Sequence, residues 1–280
     1  MPLCFIFIYL CSRNMEENII TSVQNARIKH VVALQQKSSL RREEGLFVVE
    51  GQREIEHCIE GGYEVMELFT VDSLQLTDNY TGGKKPVIVS PQVYEKMAYR
   101  GSTEGMIAMV KMKGHNISSV NCILSTINNP LIVVLESVEK PGNLGAILRS
   151  ADAANVDAVI VCDPLTDLYN PNLIRASIGA VFTVPTAVCT SQECIAFLKE
   201  RGIRILTAQL QDSYEYYDYD MRPATAIVMG TESTGLTRQW REAADAHIRI
   251  PMLGRLDSIN VSVSAAILMF EAVRQRKVKK

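Results

Sequence analysis

The sequence predicts an α/β protein of two domains, the larger a mostly parallel sheet with helices on both faces, preceded by a smaller α/β domain. Three observations carry this. At 280 residues, 47% hydrophobic and 21% charged, the chain has material for more than one ordinary soluble domain. Five short apolar or β-branched runs, at 131–135, 156–161, 203–207, 226–229 and 247–250, alternate with segments of helix length; continuous runs of this kind mark strands buried on both faces. Upstream of residue 114 the pattern is mixed, as expected of a separate compact unit of about 100 residues.

Taken in order, the chain opens with the apolar run Pro2-Leu3-Cys4-Phe5-Ile6-Phe7-Ile8-Tyr9-Leu10-Cys11. No Lys or Arg precedes it and no A-x-A site follows, so it is a poor signal peptide. It is also shorter than the about 20 residues a membrane span needs. The expectation is that 1–14 are upstream sequence or a loose extension, with Met15 the more ordinary start and no membrane association. The first domain, 15–114, then reads as a charged helix, an extended run at Leu46-Phe47-Val48-Val49, a helix over Gln52–Glu60, strands at 65–71 and 87–90, and a closing strand Ile107-Ala108-Met109-Val110. Residues 115–130, with Ser118-Ser119, Ser125-Thr126 and Asn128-Asn129-Pro130, read as a linker with one helical turn. The second domain is 131–280.

A net charge of −2 gives no global basic field, so a polyanion would have to meet a local patch. The seven cysteines form no CxxC pair and the four histidines are scattered without ligand spacing, which points to reduced thiols, no metal and a cytoplasmic protein. Cys162 lies in an apolar run and reads as core.

Three segments after predicted strands could carry chemistry. The first is Lys140-Pro141-Gly142-Asn143-Leu144-Gly145-Ala146-Ile147-Leu148-Arg149. Leu144, Ile147, Leu148 and Ala151 fall on one helical stripe, Asn155 suits a left-handed end, and Asn143 is placed to cap the start. Arg149 lies off the stripe, free either for function or for an ion pair with Asp152. Gly-Asn-Leu-Gly lacks the G-x-G-x-x-G spacing, which disfavours a nicotinamide dehydrogenase. The second is Gly230-Thr231-Glu232-Ser233-Thr234-Gly235, a loop that lets backbone approach a ligand. Glu232 alone reads as a helix N-terminal charge, but a similar loop at Ile250-Pro251-Met252-Leu253-Gly254 favours a shared cleft. The third adds Ser258-Ile259-Asn260-Val261-Ser262 and a helix start of small or β-branched residues that leaves main chain uncovered.

These three segments, in this order, resemble the SpoU (TrmH-like) family of ribose methyltransferases: Asn143, Gly145 and Arg149 match its first motif, Gly230, Glu232 and Gly235 its second, and Ile250-Pro251-Met252 with Ser258, Asn260 and Ser262 its third. Ser233 and Asn155 stand where many members have glycine. The stretch 37–51 is similar to the start of the family's RNA substrate-binding domain. The resemblance implies a deep trefoil knot in the second domain, although general topology rules make knots rare. It further implies a homodimer, a cytoplasmic setting, and S-adenosylmethionine held largely by main chain, with Gly230, Ile250, Ile259, Thr207 and Met252 as cofactor contacts. The implied reaction is methylation of a ribose 2′-hydroxyl, most naturally in ribosomal RNA, with transfer RNA or a non-catalytic ribosome-assembly role as alternatives.

In that reaction the enzyme must position the hydroxyl and assist its deprotonation, and no metal is needed. Arg149 would stabilise the developing alkoxide, since a guanidinium is a poor base. Asn143 and Glu232 would orient it, and Ser258 and Asn260 would shape the loop. In the first domain Arg27, Lys29, Lys37, Arg41 and Arg42 read either as a solvated helix face or as an RNA phosphate patch. The basic end Arg274-Gln275-Arg276-Lys277 reads as a solvated helix terminus, with an RNA contact as the alternative.

Overall fold

The computed structural model describes residues 19–71, 85–99 and 105–277. The segment 1–14 considered above lies outside the described residues. The chain divides into two compact units, 1–112 and 113–280.

The first unit contains α1 (Ala26–Gln36), α2 (Ser38–Glu44), β1 (Leu46–Glu50), α3 (Gln52–Glu60), β2 (Val65–Thr70), β3 (Val87–Ile88), α4 (Pro91–Met97) and β4 (Met106–Lys111). Its sheet has the order β1-β4-β2-β3, with β4 antiparallel to both neighbours. Where the sequence suggests one charged helix before β1, there are two. Lys37 is extended at φ −115° and interrupts the helix, and Gly45 ends the second at φ 66°. Helix α4 has no counterpart in the sequence reading; it starts where Ser90 Oγ accepts the Val93 N–H and Pro91 occupies the first turn. Ile28, Val31 and Leu34 of α1 pack with Phe69, Met97 and Ile107 as the core.

The second unit runs α5 (Ile117–Leu124), β5 (Leu131–Glu136), α6 (Pro141–Ala153), β6 (Ala158–Cys162), α7 (Pro171–Ser177), α8 (Ala180–Thr183), β7 (Thr186–Cys189), α9 (Ser191–Glu200), β8 (Arg204–Ala208), β9 (Tyr214–Glu215), β10 (Thr225–Met229), α10 (Arg238–Ala243), β11 (Ala246–Arg249) and α11 (Val261–Lys277). Among the described residues these strands form one seven-stranded parallel sheet in the order β7-β6-β5-β10-β8-β11-β9. Every residue of β5, β6 and β10 is buried, which is why those runs read as unbroken apolar segments. The stretch 115–130 is more than a linker: α5 fills much of it and sends Val120 and Leu124 into the same core as Trp240 and Phe197.

Strand β10 lies between β5 and β8, so the C-terminal ends of β5, β10, β8 and β11 sit side by side. The loops that leave three of these ends, those of β5, β10 and β11, are the segments with chemistry in the sequence. Gly145 lets α6 approach α7: a Cβ there would stand 2.6 Å from the Leu173 carbonyl and 2.7 Å from Ala176 Cβ. Asn155 is left-handed at φ 52°, as its place after α6 requires.

Helix α11 packs on α6 and β10 and ends in a tie rather than in solvent. The Arg276 guanidinium donates to the carbonyls of Asn129 (2.7 Å), Pro130 (3.3 Å), Met221 (3.0 Å) and Pro223 (2.8 Å), just before β5 and β10. Gln275 accepts from Met221 N–H at 2.8 Å. This corrects the solvated-terminus expectation for Arg276, which is half-buried and whose pKa burial lowers. A hydrogen bond to a charged group contributes about 1.5–3 kcal/mol. Arg276→Leu should therefore destabilise the second unit by at least about that much, measured as a lower urea midpoint with the same slope.

Candidate active site

The site is assembled around one carboxylate. Glu232, in the loop after β10, accepts from Lys140 Nζ at 2.8 Å through Oε2. Its Oε1 accepts from Asn143 Nδ2 at 3.0 Å, Asn260 Nδ2 at 2.8 Å and the Val261 N–H at 3.4 Å. Asn260 Nδ2 also donates to Asn143 Oδ1 at 3.1 Å. The three sequence segments thus meet through Asn143, Glu232 and Asn260.

Asn260 is also the cap of α11: its Oδ1 accepts from Ser262 N–H at 3.0 Å and Ser262 Oγ at 2.5 Å. Glu232 supplies the acceptor for the Val261 N–H of the same helix, so it is a helix N-terminal charge, though of α11 rather than of the helix that follows it in sequence. The Lys140 ammonium, then the Val261 N–H and Asn143, hold the Glu232 carboxyl below the usual carboxylate range. Asn143 does not cap α6, as its sequence position suggests. The helix starts two residues earlier at Pro141, and the Asn143 amide is turned to Glu232 instead.

The loop carrying Glu232 is tightly built. Thr231 Oγ1 accepts from Thr234 N–H at 3.0 Å, and Thr231 bridges to Gly235. A Cβ at Gly230 would lie 2.4 Å from the Gly235 carbonyl carbon and oxygen, so no larger residue fits. Gly235 takes the left-handed position at φ 68°, which leaves Ser233 with no demand for positive φ. The exit of the loop is anchored in the core. Glu136, 2% exposed at the end of β5, accepts from Thr237 N–H (2.8 Å) and Oγ1 (2.6 Å). Ser191 Oγ, which receives the Trp240 indole N–H at 3.0 Å, lies 2.6 Å from Asp163 Oδ2 and 3.3 Å from Glu136 Oε1.

Beside this cluster a cavity of about 720 Å³ opens between the loops after β8, β10 and β11. Gly230, Ile250, Met252, Ser258, Ile259 and Asn260 all line it, as the sequence segments lead one to expect. Thr207 does not: it is fully buried on β8 and its hydroxyl is hydrogen-bonded to His247 Nδ1 at 2.6 Å, while the next residues, Ala208 and Gln209, form the wall. A smaller adjoining cavity of about 110 Å³ is bordered by Lys140, Asn143 and Glu232.

Other sequence candidates lie elsewhere. Arg149 is exposed on α6, borders neither cavity, and makes neither the ion pair with Asp152 nor a bond to Glu232 among the described residues. Six residues from Asn143 is about 9 Å along the axis and well round it, so the two cannot share a helix face. Arg41 is not a phosphate ligand. It is 2% exposed and donates to the Leu34 and Gln35 carbonyls at 2.6 and 3.1 Å, closing the end of α1. Arg27 is paired with Glu67, leaving Lys29, Lys37 and Arg42 exposed on that stretch. Lys140 and Gln209 are the residues the sequence reading passed over; each directly borders a strand-end loop, which was the available signal.

The family model described as SpoU rRNA Methylase family matches residues 130–270, and that of the MRM3-like substrate binding domain matches 25–108. The chain belongs to the SpoU rRNA methylase family. A SpoU relative from Vibrio vulnificus, named 23S rRNA (guanosine-2′-O-)-methyltransferase RlmB, is 39% identical over 181 residues, 64% of this chain and 73% of its own. A solved structure described as an RNA 2′-O ribose methyltransferase is 36% identical with a TM-score of 0.78, over 92% of this chain and 99% of that one. An AdoMet-bound rRNA methyltransferase from Sinorhizobium meliloti has a TM-score of 0.82 at 26% identity, over 93% and 98%.

Two tests probe the SpoU site. Because the folded-state pKa of Glu232 lies below its unfolded value, the stability it gives is present above the unfolded pKa and is lost as pH falls through the folded one. Lys140→Met removes the largest cause of that shift, so the side-chain carbon titration of Glu232 should move upward; an unchanged titration would separate the two groups. Gly230→Ala should impose an overpacking cost of about 1–3 kcal/mol on the loop. It should weaken ligand binding in the large cavity by about tenfold or more, read by calorimetry.

Proposed function

We propose that the chain is an S-adenosylmethionine-dependent methyltransferase of ribose 2′-hydroxyls in ribosomal RNA. The carrying observation is that one side chain from each SpoU motif, Asn143, Glu232 and Asn260, closes a single hydrogen-bonded cluster at the rim of the large cavity. The cavity suits the cofactor. Its volume falls in the range of about 300–1,000 Å³ typical of cofactor sites, and Gly230 bares main chain on its wall. Gln209, on the same wall, keeps a buried Oε1 acceptor without a partner among the described residues, which a ligand N–H would satisfy.

S-adenosylmethionine, when bound, supplies a sulfonium methyl that is already electrophilic. The protein's task is then to place the ribose hydroxyl and stabilise its developing charge. Gly230, Ile250, Met252 and Ile259 hold the cofactor. Glu232 is an orienting group rather than a base: both oxygens are engaged and its pKa is lowered. Ser258 and Asn260 face the nucleotide from the loop before α11. Arg149 borders neither cavity within one chain; exposed and permanently charged, it stabilises the alkoxide or anchors a phosphate where the proposed homodimer brings it to the partner's site.

The first unit, through Lys29, Lys37 and Arg42, contributes phosphate contacts, and the protein works in the cytoplasm. Among the described residues no helix is long and apolar enough to cross a membrane. Two further features belong to this reading. The return of α11 from the end of β11 to α6 and β10 supports a threaded trefoil knot in the second unit. Exposed Leu253, Leu256, Val263 and Phe270 support a homodimer through that unit.

Calorimetry with S-adenosylmethionine is the first test; absence of binding would leave a non-catalytic RNA-binding factor. Arg149→Ala should keep cofactor affinity while methyl transfer falls by about 10²-fold or more. Mapping ribose methylation in cells with and without the gene should reveal one missing mark in ribosomal RNA. A missing mark in transfer RNA would overturn the substrate assignment.

A further inference from the structure

A second cluster in the methyltransferase unit lies outside the cavity. Cys162 ends β6, Cys189 ends β7, and Cys194 belongs to α9. Cys162 and Cys189 are directly paired on adjacent parallel strands, so their side chains leave the sheet on one face. Cys194 is carried to that face by α9, and all three sulfur atoms lie within 4.8 Å of one another. Cys162 and Cys194 are fully buried; Cys189 is half-exposed and opens the group to solvent. No sequence spacing announces this, because the three residues converge only through the strand pairing.

We propose that Cys162, Cys189 and Cys194 form a binding site for one thiophilic cation of the zinc or cuprous class, with solvent in the remaining position on the Cys189 side. Thiolates around zinc at about 2.3 Å stand about 3.8 Å apart, so the observed spacing needs a contraction of no more than about one ångström. The frame is rigid. Thr190 and Glu193 form a reciprocal cap on α9, with Thr190 N–H donating to Glu193 Oε2 at 2.8 Å and Glu193 N–H to Thr190 Oγ1 at 3.2 Å. Ser191 N–H and Oγ hold Asp163 Oδ2 at 3.1 and 2.6 Å, and Asp163 N–H donates to the Cys189 carbonyl at 3.0 Å.

The charge balance also favours a cation. The carboxylates of Glu193 and Asp163 add negative potential at Cys189. Soft sulfur ligands select against magnesium and calcium.

The experiment uses the full-length protein, reduced and stripped with a chelator, then titrated with Cd(II), Zn(II) and Mg(II). One equivalent of Cd(II) should bind with a sulfur-to-metal charge-transfer band, Zn(II) should displace it, and Mg(II) should do nothing. Cys189→Ser and Cys194→Ser should lower affinity by about tenfold or more, whereas Cys122→Ser, exposed and outside the trio, should not. Should Cys194→Ser fail to fold, the half-exposed Cys189→Ser carries the test, with circular dichroism as its control. No uptake by folded wild-type protein would overturn the proposal. So would undiminished uptake by folded Cys189→Ser, or a disulfide among the three thiols, read as the loss of two hydrogens by mass, in place of uptake. The result is independent of methyl transfer, since neither RNA nor S-adenosylmethionine is present.

Discussion

The loops of the methyltransferase unit depend on the Glu232 carboxylate. Four donors from two distant stretches of sequence converge on its two oxygens: Lys140 and Asn143, and Asn260 and the Val261 N–H. Each such bond is individually modest at a wet surface. Together they leave little slack, because losing the acceptor orphans all four donors at once. The rim of the cavity and the first turn of α11 are therefore held by the same atoms.

Beneath the rim, support comes from a buried polar network rather than from apolar packing alone. Glu136, Asp163, Ser191, Thr237 and Trp240 link the ends of β5 and β6 to the starts of α9 and α10. A network of this kind is stabilising only when its members are satisfied, and in return it specifies one arrangement. Here it fixes the exit of the Gly230 loop, while the loop's entry is fixed by β10 itself.

Much of this was legible in the sequence, and the failures share a cause. The central strands were readable because burial on both faces leaves no polar residue to break the run. The edge strands β7 and β9 were not, being four and two residues long with Thr186, Cys189, Tyr214 and Glu215 among them. Glycine positions announced the cavity loops, since close backbone approach excludes Cβ. Arg41 and Arg276 were misread because a charge in sequence looks solvated, and only the fold reveals the carbonyls that receive it. For Asn143 and Thr207 the direction in which each side chain is turned was decided by Glu232 and His247, distant in sequence.

The capping of α11 by the site has a consequence for how the site is sensed. Any ligand that draws the Asn260 amide toward itself competes with Glu232, and the same motion loosens the helix's first turn. That helix of 17 residues is about 26 Å long and ends where Arg276 clasps the starts of β5 and β10. The helix therefore spans the sheet from the C-terminal strand ends, where the cluster lies, to the strand starts, so its two ends are fixed by polar contacts on opposite sides of the unit.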